Sequence, residues 1–226
     1  GHLKNFEFWF PMIPDLKARY VLVYVGINDL YTMDQGYVAE SDSLFALSHG
    51  TKRYLMNTSA LYNLFRNIRG MVRARDARLI HATGSFDGLE WREPPRPPDF
   101  AAAERKHAAK LAAYGERLRE LMRRIRAFGA RPIFVTQHRA DYRVVDGRIL
   151  SPVMKDGTLN VGRYADQIAI NRKSMEVCHE LEAVCIDLAS DLFFGENDTY
   201  DLFHTTPQAS RRIGLYLYER LKDIVR

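Results

Sequence analysis

The chain has 226 residues and a mass of 26.1 kDa, enough for one large domain or two small ones, and long enough to bury roughly 70% of its unfolded surface. Hydrophobic residues make up 46%, charged residues 27%, and the mean hydropathy is -0.31, which excludes a disordered tail, a collagen-like repeat and a disulfide-framed miniature. The net charge of +5 permits an anionic partner, but bases and acids alternate, as in Glu116-Arg117-Leu118-Arg119-Glu120, so the charges read as solvated faces and no nucleic-acid partner is expected.

Residues 3–16 carry Leu3, Phe6, Phe8, Trp9, Phe10, Met12 and Ile13 at a spacing that predicts a largely buried helix, stopped by Pro14. Tyr20-Val21-Leu22-Val23-Tyr24-Val25 is a continuous β-branched and aromatic run, the mark of a strand buried on both faces. It ends in the turn Gly26-Ile27-Asn28-Asp29. Residues 32–54 read as irregular, and a helical period returns over 55–75. Residues 76–100, closed by Pro94-Pro95-Arg96-Pro97-Pro98, predict a surface insertion with polyproline character. One long helix is expected over 101–128, with Leu111, Tyr114, Leu118, Leu121, Met122 and Ile125 on its apolar stripe and Gly129 as its C-terminal cap.

A second buried strand is expected at 132–136 and a small hairpin or meander over 142–158, around Asp146-Gly147 and Asp156-Gly157. Residues 163–182 read as helix and 184–188 as a third strand. Thr206-Pro207 opens the last helix, an N-cap followed by proline at the first helical position. Short apolar strands alternating with helices predict a parallel α/β sheet in a single domain. Cys178 falls on a helical pattern and Cys185 on a strand, so both read as buried, inert thiols. No signal peptide opens the chain, and Gly1-His2 reads as a cut point or a tag remnant, so the compartment stays open.

In an open parallel sheet the site lies at the carboxyl ends of the strands. Three polar clusters fall there: Gly26-Ile27-Asn28-Asp29, Gln137-His138-Arg139 and Asp201-Leu202-Phe203-His204. Asp and His three apart on one loop let the carboxylate hold one imidazole nitrogen while the other faces the site, as a general base requires. Asn28 reads as a turn residue or as an amide donating to an oxyanion. Gln137, His138 and Arg139 read as a solvated loop or as residues lining the site, with Arg139 meeting an anionic or sugar group. The histidines share no ligand spacing, so no metal is expected.

Taken together, "YVLVYVGINDL" and "DLFHTTPQAS" resemble the third and fifth blocks of the SGNH (GDSL-type) hydrolase superfamily, with the likeness running from one end of the chain to the other. The resemblance implies a three-layer α/β/α fold with a parallel, flavodoxin-like sheet. It implies His204 as general base, Asp201 as its orienting partner, Asn28 as an oxyanion-hole amide and Asp29 as a brace of the Gly26 turn. It implies hydrolysis of an O-acyl ester of a carbohydrate or lipid without a cofactor, and an extracytoplasmic lean.

One part of the family's pattern is missing. Its nucleophile is a Ser in a Gly-Asp-Ser block upstream of Gly-x-Asn-Asp, and no Ser precedes Asn28 here. The expectation is that the Ser and the family's first two strands lie upstream of this chain, with the edge of 20–25 pairing with that missing segment or with another chain. The chain alone is then expected to be inactive. Gly1 reads as the oxyanion-hole glycine of the second block. Ser41, Ser43 and Ser85 are poor substitutes, since none follows a strand-to-helix turn. Ser59 and Ser174 read as helix surface. The alternatives are an acyltransferase of the same fold and a non-catalytic interaction module.

Overall fold

The computed structural model describes residues 2–32, 54–55, 58–76, 86, 88–96, 98–160 and 164–225. Gly1 and the serines at 41, 43 and 85 lie outside the described residues, and so does most of the stretch read as irregular. Contacts divide the chain into two compact units, Gly1–Gln35 with Gly84–Arg226, and Gly36–Thr83.

The first unit is built on three parallel strands, β1 (Tyr20–Tyr24), β3 (Arg131–Val135) and β6 (Val184–Ile186), in the order β1-β3-β6. Tyr20 stands opposite Arg131 and Ile133 opposite Val184. A second, antiparallel sheet has the order β2 (Trp91–Arg92), β5 (Arg148–Pro152), β4 (Arg143–Val145). The β4–β5 hairpin turns through Asp146 and Gly147, both at positive φ, of 50° and 74°, the backbone that a tight two-residue hairpin turn demands. The insertion read over 76–100 therefore contributes a short strand, because Trp91 pairs with Pro152 and Arg92 with Ser151.

Side chains alternate across a strand, and β3 uses both faces. Phe134 joins Val23 and the stripe Leu111, Tyr114, Leu118, Leu121, Met122 and Ile125 in one core cluster. Ile133 and Val135 join Ile186, Leu188 and Leu221 in another. The stripe lies on α5 (Ala108–Ala127), which packs with α6 (Tyr164–Glu180) on the first cluster. The second cluster is covered by α8 (Pro207–Leu221) and flanked by the short α7 (Leu188–Asp191). The chain is thus mixed α/β around a parallel three-stranded sheet.

Several elements differ from expectation. Residues 2–8 form α1 (His2–Phe8), followed by a 3-10 turn over Phe10–Met12. None of their side chains is fully buried, and Trp9 and Met12 are exposed, because only Leu3 and Phe6 reach the core. In β1, Leu22 and Tyr24 are 43% and 39% exposed. Among the described residues β1 pairs with β3 alone, and the face of β1 that carries Leu22 and Tyr24 is only partly covered. The expected helix over 101–128 is two, α4 (Phe100–Lys106) and α5, broken at His107, whose buried imidazole points Nε2 at Asp166, 3.3 Å away. The third strand ends at Ile186, and Leu188 already belongs to α7.

The cysteines are not free thiols. Cys178 and Cys185 form a disulfide, with Cα atoms 5.9 Å apart. The end of α6 turns back through Glu182, at φ 50°, and that reversal brings residues seven apart into bridging range. Ser174 is buried rather than on the surface, where its hydroxyl meets Tyr114 Oη at 2.9 Å.

Gly129 caps α5 as expected. Its N–H bonds the Arg126 carbonyl, Ala130 N–H bonds the Ile125 carbonyl, and φ is +88°. This pair of backward bonds satisfies carbonyls that the helix end leaves open. In the second unit, α3 (Ala60–Asp76) begins after Ser59, whose Oγ accepts the Tyr62 N–H at 3.1 Å; Ser59 is thus an N-cap, not a bystander on the helix surface. Leu61, Leu64, Phe65 and Ile68 are exposed on this helix.

Candidate functional site

The loop over 193–206, between α7 and α8, is tied down at several points. Asp198 accepts from the Gly195 N–H, and both of its oxygens accept from Arg212 Nη1, at 2.6–2.8 Å. Thr206 caps α8 through the Ala209 N–H, and its hydroxyl donates back to the Asn197 carbonyl. Thr199 and Thr205 form an isolated antiparallel bridge. Residues 200–204 are therefore a short bulb on a braced stem.

Within the bulb, Asp201 Oδ1 accepts the backbone N–H groups of Phe203 and His204, both at 2.7 Å. Its Oδ2 lies 2.7 Å from His204 Nδ1. Two backbone donors fix the carboxylate plane, and the carboxylate then fixes the imidazole. With the proton on Nδ1, Nε2 carries the lone pair, the state a general base needs. Burial pushes the Asp201 carboxyl up, but the His204 and Phe203 N–H groups and the His204 ring outweigh it and hold it below the usual carboxylate value. Asp201 is 6% exposed, whereas the His204 side chain is 53% exposed and stacks at 10° on the Tyr200 ring. The pair thus has a buried acid and an accessible base.

The Gly26 turn sits at the carboxyl end of β1 and opens α2 (Ile27–Thr32). Gly26 has φ +132°, and a Cβ there would stand 2.8 Å from Ile170 Cγ2 and 3.2 Å from Tyr114 Oη, so no other residue fits. Asn28 is exposed in the first turn of α2. Asp29 pairs with Arg117 at 2.7 Å.

Residues 137–140, just past β3, connect the two clusters. Gln137 Oε1 accepts the Ile27 N–H at 2.8 Å, and its Nε2 donates to the Tyr24 carbonyl at 3.3 Å. Ala140 N–H bonds the Leu202 carbonyl at 3.0 Å, inside the Asp201–His204 bulb. One four-residue segment therefore braces the Asn28 turn at one end and the histidine loop at the other.

The solvated-loop reading of this segment does not hold, because His138 and Arg139 are each only 7% exposed. Arg139 is turned away from solvent, its Nε 2.8 Å from Asp141 Oδ1 and its guanidinium over the Phe203 ring. It supports the bulb from below. His138 stacks on Phe194, with ring centroids 4.1 Å apart at 4°, and touches Tyr142 at 4.9 Å. Burial, with the Arg143 charge nearby, pushes its pKa down to about 3.

Two further residues went unnoticed in the sequence. Asn171 Nδ2 donates to the Gln137 carbonyl at 2.9 Å, and Asn171 Oδ1 accepts the Gln137 N–H at 3.3 Å. Gln167 Nε2 bonds both that carbonyl and Asn171 Oδ1. These amides close the backbone groups left open where β3 ends. The signal was present: Gln167, Asn171 and Ser174 interrupt the apolar face of α6 at helical spacing.

Among the described residues no cluster of three or more His, Cys, Asp or Glu could hold a metal ion, and no helix is long and apolar enough to cross a membrane. No family model, no curated protein and no solved structure matches the chain.

Proposed function

We propose that this chain belongs to a serine ester hydrolase of the SGNH type, acting on an O-acyl ester. The observation that carries the proposal is the Asp201–His204 pair: a buried carboxylate, held by two backbone N–H groups, gripping Nδ1 of an accessible imidazole at 2.7 Å. In this reading His204 Nε2 takes the proton of the attacking hydroxyl and later returns it to the leaving alcohol. Asp201 steadies the imidazolium that forms between those steps. Asn28, exposed at the carboxyl end of β1, donates its amide to the oxyanion. Gly1, as a second oxyanion donor, lies outside the described residues. The nucleophile is assigned, as the resemblance implies, to a serine of a Gly-Asp-Ser block upstream of the Gly26 turn, and not to Ser41, Ser43 or Ser85.

The reading carries with it a three-layer, flavodoxin-like sheet. It is supported by the alternation of β3 side chains between the α5–α6 cluster and the α8 cluster. Two of the three polar clusters directly follow β1 and β3 of one parallel sheet, where α/β sites form, and the Ala140 N–H ties the second of them to the Leu202 carbonyl of the histidine loop.

The test uses the full-length protein, p-nitrophenyl acetate and a fluorophosphonate label. Turnover is expected, with a loss of about 10³-fold or more on His204→Ala. The label, located by mass spectrometry, is expected on a single serine and names the nucleophile. Unchanged turnover in His204→Ala, or labelling that survives it at full rate, sinks the assignment.

A further inference from the structure

Helix α3, in the second unit, turns an apolar face to solvent. Leu61, Leu64, Phe65 and Ile68 stand three and four residues apart and are between 48% and 79% exposed. That spacing gathers them on one face of a helix. In the sequence the same period continues through Met71 and Val72. The helix has 17 residues, so the stripe is roughly 25 Å long. Contiguous exposed apolar surface of this kind marks a place where something docks.

The charges on α3 are as ordered as the apolar residues. Arg66, Arg69 and Arg73 are also three and four residues apart, and they form a second stripe along one flank of the apolar face. Arg69 follows Phe65 by one helical turn, which sets it at the border between the two stripes, and Arg66 and Arg69 are both exposed. Arg75 adds a fourth cation, and Asp76, the last residue, is the one acid on the helix. The remaining face, through Asn63, Asn67, Gly70 and Ala74, carries no charge. The alternation of acids and bases seen on α5 is absent from α3.

These stripes select an occupant. A second copy of α3 would bring an equal set of arginines with almost no acid to meet them, so self-pairing sets like charge against like. An anionic bilayer offers both halves of the complement, acyl chains for the apolar stripe and phosphates at the level of the arginines, where a guanidinium can bind two oxygens at once. We propose that α3 lies flat in the headgroup layer of an anionic membrane, with Leu61, Leu64, Phe65 and Ile68 among the upper acyl chains and Arg66, Arg69 and Arg73 against lipid phosphates. The binding does not rest on the hydrolase reading, since α3 contains none of the residues given a role there.

The test uses the full-length protein with Phe65→Trp, a substitution at an exposed site, and vesicles of phosphatidylcholine with and without phosphatidylglycerol. The parent has two tryptophans, Trp9 and Trp91, whose emission is subtracted. The added indole reports α3 alone, even where another part of the protein touches the vesicle. With phosphatidylglycerol present its emission is expected to shift to the blue and to be quenched by brominated lipid, and raised salt should weaken the effect. Arg66→Gln with Arg69→Gln, both exposed, is expected to raise the lipid concentration at half-effect about tenfold or more.

The proposal is overturned if the emission does not move with phosphatidylglycerol vesicles, if phosphatidylcholine alone acts equally, or if the arginine variant responds as the parent does. A shift that appears on concentrating the protein without lipid would assign the face to a second copy. The same shift with polyglutamate would assign it to an acidic polypeptide. Either result also overturns the membrane assignment.

Discussion

Asp201 does two jobs with its two oxygens: Oδ1 closes the bulb through the Phe203 and His204 N–H groups, and Oδ2 aims the imidazole. Asp201→Asn keeps the shape but offers one oxygen where two are used, and its amide favours the wrong imidazole tautomer. Hydrolysis of p-nitrophenyl acetate is expected to fall about 10²- to 10⁴-fold in kcat, with little change in KM. An equal loss in kcat and a gain in KM would point instead to a displaced loop.

Gly26 is fixed just as tightly. Its φ of +132° and the 2.8 Å that a Cβ would leave to Ile170 combine backbone strain with overpacking. Gly26→Ala is expected to lower stability by about 2–4 kcal/mol, read as a urea midpoint shift. A midpoint within error of the parent would show that the turn can relax.

Among the elements, α6 does the most positioning. Its amides Gln167 and Asn171 hold the end of β3, and its last turn is bridged to β6 by Cys178–Cys185. Such a bridge persists where thiols are kept oxidised. It closes a loop of sequence separation seven, and in the chain-entropy account so short a loop contributes about 2–3 kcal/mol. The double variant Cys178→Ala with Cys185→Ala is expected to lose about that much in chemical denaturation. Ellman titration of the denatured, unreduced protein should find no free thiol; two reactive thiols would contradict the bridge.

For the whole molecule, acid is the relevant stress. His138 has a folded pKa of about 3, against about 6.5 for an unfolded histidine. The unfolded chain therefore binds a proton between those values that the folded chain refuses. The stability tied to this group is intact above pH about 6.5 and is lost as pH falls, by up to about 1.4 kcal/mol per pH unit. In His138→Phe, which keeps the ring packed on Phe194, the slope of unfolding free energy against pH between about 6 and 4 should be shallower by one proton. Identical slopes would show that the buried ring is not the group being titrated.

Local chemistry made much of this fold readable in the sequence. The stripe on α5, the Gly129 cap, the Asp146-Gly147 hairpin and the Thr206-Pro207 helix start depend on spacing and on preferences a few residues long. Asp201 and His204 were readable for the same reason, since three residues of loop suffice to join them. The exposed faces of β1 and α1 and the break at His107 were not, because each depends on what arrives from elsewhere in the chain; the disulfide was not, because it depends on the chain reversal at Glu182. A strand's apolar run does not say whether both of its faces will be covered. Cysteine spacing does not say whether a helix will turn back.

The sequence by itself determined the alternation of helices and strands and the pairing of acid with base on one loop, because those contacts close within a few residues. Only the tertiary structure decided that residues 137–140 brace both the Asn28 turn and the histidine loop. Those atoms come from segments tens of residues apart, brought together by sheet order and by the packing of α6, which no local pattern encodes.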